Sequence, residues 1–526
     1  MGLTPATPAT WPNPSEALLA ASGRAGAREN PFVILGQAKS PQPAEPPKGK
    51  QLIPAIPLQD GEQYRFHFDM SKCIGCKCCE VACAEQNNLP PDISWRRVGE
   101  VEGGTYPNVQ RLHMSMGCNH CLEPACLEGC PVDAFDKDKA TGLVLHSAEM
   151  CIGCGYCEWN CPYGVPVFNE ERGVVGKCDM CHGRILQGLE PACVNACPSE
   201  AIQIEIVNVE QWRRDYRESA DAPGLPSAEH TISTTRITMP ADVPFDLQKA
   251  DYFRVRPEKP HYSLVGMTIL TQLSIGGFSL VWLLSLLPGA GDLSFAAYAA
   301  LSVGLISFLA SPMHLGRPIY AYRAMKMWKR SWLSREVVLV SGFGFTATIY
   351  SLALWSGSSS AALLGGIATL LGLGGITATS FIYLVPARPA WNSKYTFLEF
   401  SLTALMLGSL FALSFGARGR LLIYSAVGAS AVQLMVQLLK FLWMASSDEF
   451  ELKASARLLS RELRRLYLFR YALLIAGGII LPLLAHPLFA LIAGLGGELL
   501  GRYLFFVSVV PKNMAMSYFG LQQETA

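Results

Sequence analysis

Charge is scarce in this sequence, and cysteine is confined to one stretch of it. Lys and Arg number 43 and Asp and Glu 42, only 16% of the 526 residues, whereas a soluble globular protein carries about 25%. The shortage is uneven. Before roughly residue 260 the composition is that of a soluble domain; after it, apolar runs long enough to cross a bilayer follow one another almost to the end. A net charge of +1 lacks the basic excess of nucleic-acid binders, so no nucleic-acid partner is expected. Nine scattered histidines exclude a His-rich metal tract.

Outside Cys73–Cys197 there is no cysteine, and within that stretch there are 17. Residues 1–30 lack a basic segment followed by an apolar core, and no twin-arginine pair stands near the start. No secretory leader is therefore expected. In a reducing compartment, clustered cysteines read as metal-bound thiolates rather than a disulfide framework.

These contrasts divide the chain into four parts. Residues 1–60 hold 11 prolines among many Ala, Ser and Thr, a composition that cannot bury a core and predicts disorder. Residues 61–205 form the cysteine domain. Its strand candidates are Tyr64–Phe68, Leu143–Leu145 and Ala201–Glu205, each close to a cysteine motif. Residues 206–261, rich in Pro, Ser, Thr and Asp without sustained periodicity, read as a connector running over a surface. Residues 262–526 hold eight apolar spans, near 263–287, 293–313, 335–355, 362–385, 397–415, 421–444, 467–485 and 488–510. Helices of this length with almost no polar stripe mark membrane spans rather than soluble core helices. The expected fold is thus an α+β ferredoxin-like domain of two double-cluster modules, followed by an all-α polytopic membrane domain of eight transmembrane helices.

Sixteen cysteines fall into four motifs. Cys73, Cys76, Cys79 and Cys83 are spaced C-x2-C-x2-C-x3-C; Cys118, Cys121, Cys126 and Cys130 follow C-x2-C-x4-C-x3-C-P. Cys151, Cys154, Cys157 and Cys161 follow C-x2-C-x2-C-x3-C-P, and Cys178, Cys181, Cys193 and Cys197 follow C-x2-C-x11-C-x3-C-P. Three thiolates close in sequence wrap three corners of a cubane, and the fourth, before a turn-forming proline, reaches the neighbouring one. The first motif departs from this with Ala84 in place of proline. Four motifs therefore predict four 4Fe–4S clusters. Zinc ribbons also use C-x2-C units, but without the third cysteine and the C-P that follow here. Cys78, inside the first motif, reads as a spare buried thiol.

Cys151-Ile152-Gly153-Cys154-Gly155-Tyr156-Cys157, continuing through Cys161-Pro162-Tyr163-Gly164, and Lys177-Cys178-Asp179-Met180-Cys181 carry a resemblance. They resemble the electron-transfer subunit of dimethyl sulfoxide reductase-type molybdoenzymes. The resemblance implies that the first motif pairs with the fourth and the second with the third. Cys73, Cys76 and Cys79 would then share a cluster with Cys197, and Cys178, Cys181 and Cys193 one with Cys83. Cys118, Cys121 and Cys126 would pair with Cys161, and Cys151, Cys154 and Cys157 with Cys130. Spacing alone does not choose this over pairing sequence neighbours.

The membrane half is similar to the anchor subunit of the same group through Ser311-Pro312-Met313-His314-Leu315-Gly316, Leu333-Ser334-Arg335-Glu336 and Pro389-Ala390-Trp391-Asn392. That similarity makes His314 and Glu336 the expected quinol-binding residues, for menaquinone or ubiquinone as exchangeable partner. The chemistry suits them: quinol oxidation releases two protons with two electrons, so a site needs a base and a carboxylate beside bulk water. Glu498 and Arg502, four residues apart in the last span, form a further candidate charge pair. With only His261, His314 and His486 in the membrane half, all near span ends, paired haem ligands are not expected.

Orientation follows from basic residues in short loops. The segments after spans two, four and six hold thirteen Lys and Arg, and those after the odd-numbered spans only Arg418 and Arg420. The cysteine domain is thus expected on the cytoplasmic side of the inner membrane. The implied function is electron transfer between the membrane quinone pool and a separate molybdopterin-containing catalytic subunit, whose active site is not on this chain. A cytoplasm-facing sulfite- or sulfur-oxidising complex delivering electrons to quinone is the alternative. Readings from other classes are a membrane-tethered scaffold with structural metal sites, or a ferredoxin module serving a hydrogenase or formate dehydrogenase. Metal analysis separates clusters from scaffold. About 16 iron atoms and 16 acid-labile sulfides per chain are expected from four cubanes, and stoichiometric zinc in their place would exclude them.

Overall fold

A computed structural model of the protein describes residues 58–244, 246–249, 255–288 and 292–512. The proline-rich segment expected at 1–60 lies outside the described residues except for its last three.

The cysteine domain is built from short strands because cysteine motifs and turns interrupt every longer run. In β1 (Glu62–Asp69) the rings of Tyr64, Phe66 and Phe68 alternate to one face and are buried, the period-two pattern of a half-buried strand. A hairpin of β2 (Arg97–Gly103) and β3 (Gln110–Met116) follows helix α1 (Cys78–Asn87). Short helices α2 (Ala125–Gly129) and α3 (Tyr156–Asn160) flank the hairpin β4 (Phe135–Lys137) and β5 (Val144–His146). After hairpin β6 (Val167–Asn169) and β7 (Val174–Gly176), β8 (Ile202–Asn208) returns antiparallel to β1.

The segment 206–261 does more than run over a surface. Helix α4 (Val209–Ser219) buries Trp212 and Tyr216 on one side, and β9 (Arg236–Thr238) adds to the free edge of β1 in parallel. Three apolar residues among eight polar ones left a weak periodic signal, yet Val209, Trp212 and Tyr216 share one helical face.

Among the described residues eight helices are long and apolar enough to cross a membrane. They agree with the expected spans to within a few residues. Six are α5 (Tyr262–Ser285), α6 (Ser294–Ala310), α7 (Trp332–Trp355), α8 (Ala361–Ile382), α9 (Lys394–Ser414) and α10 (Arg420–Ser446). The amphipathic α11 (Phe450–Ser460) leads to α12 (Arg464–Ile475), which a π turn carries on to Leu483, and α13 (Pro487–Val507) is last. The π turn has a local cause: Pro482 cannot donate to Gly478 and its ring crowds that carbonyl. Helices approach closely where glycines meet; a Cβ on Gly408 would lie 2.9 Å from Gly276 Cα. Such contacts matter because lipid gives helices no hydrophobic reason to associate.

The cysteine domain docks on the loops after α6 and α8 largely through main-chain atoms. Gly316 N donates to Gly153 O and Arg317 N to Ile152 O, both at 3.1 Å. Ser331 Oγ donates to Gly129 O at 2.7 Å, and Arg317 and Arg323 donate to the carbonyls of Ala148 and Glu149. Gly153 lies in the left-handed region at φ +69°, and a Cβ there would sit 2.9 Å from Gly316 Cα; one on Gly316 would sit 2.8 Å from Gly173 Cα. Gly316→Val should therefore lift the domain from the helices, because overpacking costs about 1–3 kcal/mol. Amide hydrogen exchange at Arg317 is expected to rise by about tenfold or more, and unchanged protection would contradict this account of the contact.

Candidate functional site

Strand register decides which cysteines meet. Phe68 lies opposite Ile202 in the β1–β8 ladder, so the chain leaving β1 runs beside the chain entering β8. Cys73 and Cys197, each five residues beyond that pair, come together. Phe135 opposes His146 in the β4–β5 hairpin, and the same offset brings Cys130 to Cys151. Electrostatic neighbours agree. Cys73 feels Cys197, Cys83 feels Cys193 and Cys181, Cys121 and Cys126 feel Cys161, and Cys151 and Cys154 feel Cys130. First motif meets fourth, and second meets third. Cys118, Cys121, Cys126 and Cys161 line one common cavity with Lys177 and Thr231.

Thiols spread round a shared space, near enough to feel each other's charge, suit the corners of a cubane. Burial pushes Cys79 up to about 11, and Cys83 and Cys121 up to about 12. The ligating form is the thiolate, so these sulfurs need cations beside them. The chain supplies several, Lys137 beside Cys121 among them. Arg96, 2% exposed, lies within reach of Cys193, Cys79, Cys178 and Cys83. It donates to Ser115 Oγ at 3.2 Å, while its Nε and Nη2 have no partner. Each bare buried N–H costs about 1–3 kcal/mol, and sulfides held between the first and fourth motifs would accept them. Lys177 donates to the carbonyls of Val144 and Cys178 and reaches Cys118 Sγ at 3.6 Å. Arg96 carried no motif in the sequence, and Lys177 only its place before Cys178. Cys78, expected to be buried, is exposed: it opens α1 on the outer side, while Cys79 and Cys83, one turn apart, face inward.

The third motif and the end of the second lie against the membrane half. Tyr156 Oη donates to Ile382 O at 2.9 Å. Trp159 enters a ring cluster with Trp391 at 5.3 Å, His261 at 5.4 Å and Tyr383 at 6.0 Å. His314 closes a 3-10 turn at the end of α6, and Glu336 lies near the start of α7. Their chain neighbours Leu315, Leu333 and Val337 pack on the apolar cluster that contains Cys130, Cys151 and Cys157. Glu336 Oε1 accepts from Thr379 Oγ1 at 2.6 Å. Glu336 is half-buried, close to the helix end that Ser331 and Ser334 tie to the carbonyls of Gly129 and Pro131.

Glu498 and Arg502 do not pair with each other. Glu498 accepts from Gln433 at 2.6 Å and Thr403 at 2.8 Å. Arg502 donates to Gln272 at 3.0 Å and stacks 3.5 Å over Phe400. Helical spacing put them on one face, but neighbouring helices offered each a nearer partner.

Two family matches cover most of the described chain: a 4Fe-4S dicluster domain at residues 109–206 and the DMSO reductase anchor subunit (DmsC) at 258–507. The probable anaerobic dimethyl sulfoxide reductase chain YnfG of Escherichia coli (strain K12) is 40% identical over 177 residues, 32% of this chain and 85% of the relative. A second anaerobic dimethyl sulfoxide reductase chain of the same strain is 39% identical over the same shares. The formate dehydrogenase-O iron-sulfur subunit of that strain is 39% identical over 170 residues, 29% of this chain and 56% of the relative. Crossed cysteine motifs, a helical membrane half and these similarities lead to one conclusion: the chain belongs to the dimethyl sulfoxide reductase family, as an iron–sulfur electron-transfer subunit fused to the membrane anchor subunit.

Proposed function

We propose that this chain carries electrons between membrane menaquinone or ubiquinone and a separate molybdopterin catalytic subunit, through four 4Fe–4S clusters and an anchor of eight transmembrane helices. The ligand sets are Cys73, Cys76, Cys79 and Cys197; Cys83, Cys178, Cys181 and Cys193; Cys118, Cys121, Cys126 and Cys161; and Cys130, Cys151, Cys154 and Cys157. When bound, such clusters supply one-electron carriers between a two-electron quinol and a two-electron catalytic site. One observation carries the reading: residues flanking His314 and Glu336 pack on the same apolar cluster as three cysteines of the last set. Quinol at these two side chains would therefore sit beside the membrane-side end of the relay.

The chain's own residues handle the protons. His314 accepts a hydrogen bond from one quinol hydroxyl and takes its proton. Glu336, oriented by Thr379 Oγ1, serves the other. Tyr156 and Trp159 hold the third motif against the helix ends, which keeps water from the quinol head.

Orientation rests on the basic loops, and the docking contacts thin that argument without removing it. Arg317, Arg323, Lys326, Arg330 and Arg388 engage the cysteine domain or its connector. Eight of the thirteen basic residues remain, against two on the opposite side. The balance supports a cytoplasmic cysteine domain, and that side favours a second reading in which a sulfite- or sulfur-oxidising catalytic subunit feeds electrons into quinone.

His314→Ala and Glu336→Gln are each expected to slow quinol-dependent bleaching of cluster absorbance by about 10²–10⁴-fold, the worth of a positioned acid or base. Reduction by dithionite should be unchanged in both, and wild-type quinol rates in both would refute the site. In right-side-out spheroplasts, external protease should leave the cysteine domain intact; its digestion would reverse the orientation.

A further inference from the structure

Each quinol oxidised at Glu336 must shed two protons, beside a helix end that the cysteine domain contacts. The fold holds a route for them. Between α9, α10, α12 and α13 lies a cavity lined by Glu399, Lys440, Arg470, Glu498 and Arg502, each less than a tenth exposed. Ionisable groups inside a membrane domain are rare and mark ion or proton pathways. The cavity's room for water centres, about 50 Å3, exceeds the 10–15 Å3 or so that one water needs. Polar atoms on its wall lack partners, among them both amide atoms of Gln437, 3% exposed, and Nε of Arg470. Ordered water satisfies such atoms.

Ring contacts join the cavity wall to Tyr383, which itself does not line the cavity. Tyr383 packs edge-on against Trp391 and Phe505, at 5.4 and 5.3 Å, and both rings line the cavity. On its other side Tyr383 lies within electrostatic reach of Glu336. Glu498 takes its hydrogen bonds from the neutral donors Gln433 and Thr403 and lies within electrostatic reach of Arg470 and Arg502. Lys440 Nζ meets Glu399 Oε2 at 2.8 Å where α9 begins and α10 ends, the same end of the bundle as the docked domain but beside it. Arg470 and Arg502 complete the charged wall.

We propose that this cavity is the proton exit of the quinol site. Tyr383 passes protons from Glu336 to cavity water, Glu498 holds one in transit, and the Glu399–Lys440 pair releases it at the mouth. For each quinol oxidised, two electrons leave by the cysteine domain and two protons by the cavity, and every side chain returns to its starting state. The proposal rests on the quinol reading of His314 and Glu336.

Its test is a single-turnover measurement on the full chain assembled with its catalytic subunit. The oxidised complex is mixed with a short-chain quinol in weak buffer containing a pH-indicator dye. Wild type should release two protons per quinol as cluster absorbance bleaches. Glu498→Gln is expected to slow both phases at least tenfold, with binding of a fluorescent quinoline N-oxide and the dithionite-reduced EPR spectrum unchanged. Wild-type rates in Glu498→Gln overturn the exit alone, and so does slowing accompanied by lost N-oxide binding. No reaction in wild type overturns the quinol reading, and the exit with it. Should Glu498→Gln fail to assemble by EPR, Tyr383→Phe decides instead, since it keeps every ring contact and removes only the hydroxyl. Tenfold slowing then supports the exit and wild-type speed overturns it.

Discussion

Two residues without side chains, Gly153 and Gly316, meet backbone to backbone, and the working of both halves depends on that meeting. Electron transfer falls steeply with separation, so a relay must bring its last carrier near the reacting carbon skeleton. A bulkier residue at either position would push the third motif outward and take Leu315 and Val337 off the cysteine cluster they touch. Tyr156 and Trp159 then fix what the glycines permit, one by a hydrogen bond to Ile382 and one by rings.

Much of the metal domain was legible in the sequence because cysteine chemistry is short-range. Spacing picked out sixteen candidate ligands, and the 4Fe–4S character it pointed to agrees with the dicluster family match. It did not tell which motifs cross, because crossing is a property of strand register. Once Phe68 faces Ile202 and Phe135 faces His146, the crossing follows from counting. Arg96 and Lys177 stayed hidden for another reason. A buried cation serving several thiolates is recruited from wherever the fold passes, so no fixed offset announces it.

The membrane half shows the opposite balance. Length and apolarity gave the helices to within a few residues, since a bilayer sets both. Partners between helices were beyond reach: Glu498 and Arg502 share a face by spacing, yet Gln433, Thr403 and Gln272 come from three other helices. The same limit applies to Glu336. Its position at a span end was readable, but the domain lying over that end belongs to tertiary structure. Trp212 and Tyr216 escaped because charged neighbours diluted their periodicity.

The connector gives the docking contact its last property. Gln248–Lys249 still pair with β2, and only 12 residues separate Lys249 from Tyr262, where the first apolar helix begins. A tether of that length keeps the two surfaces at an effective concentration in the millimolar range or so. An interface of main-chain hydrogen bonds, basic side chains and the Trp159 ring cluster is then occupied almost all the time. Joining the halves on one polypeptide thus frees the contact from the need for affinity and leaves its glycines to be selected for closeness alone.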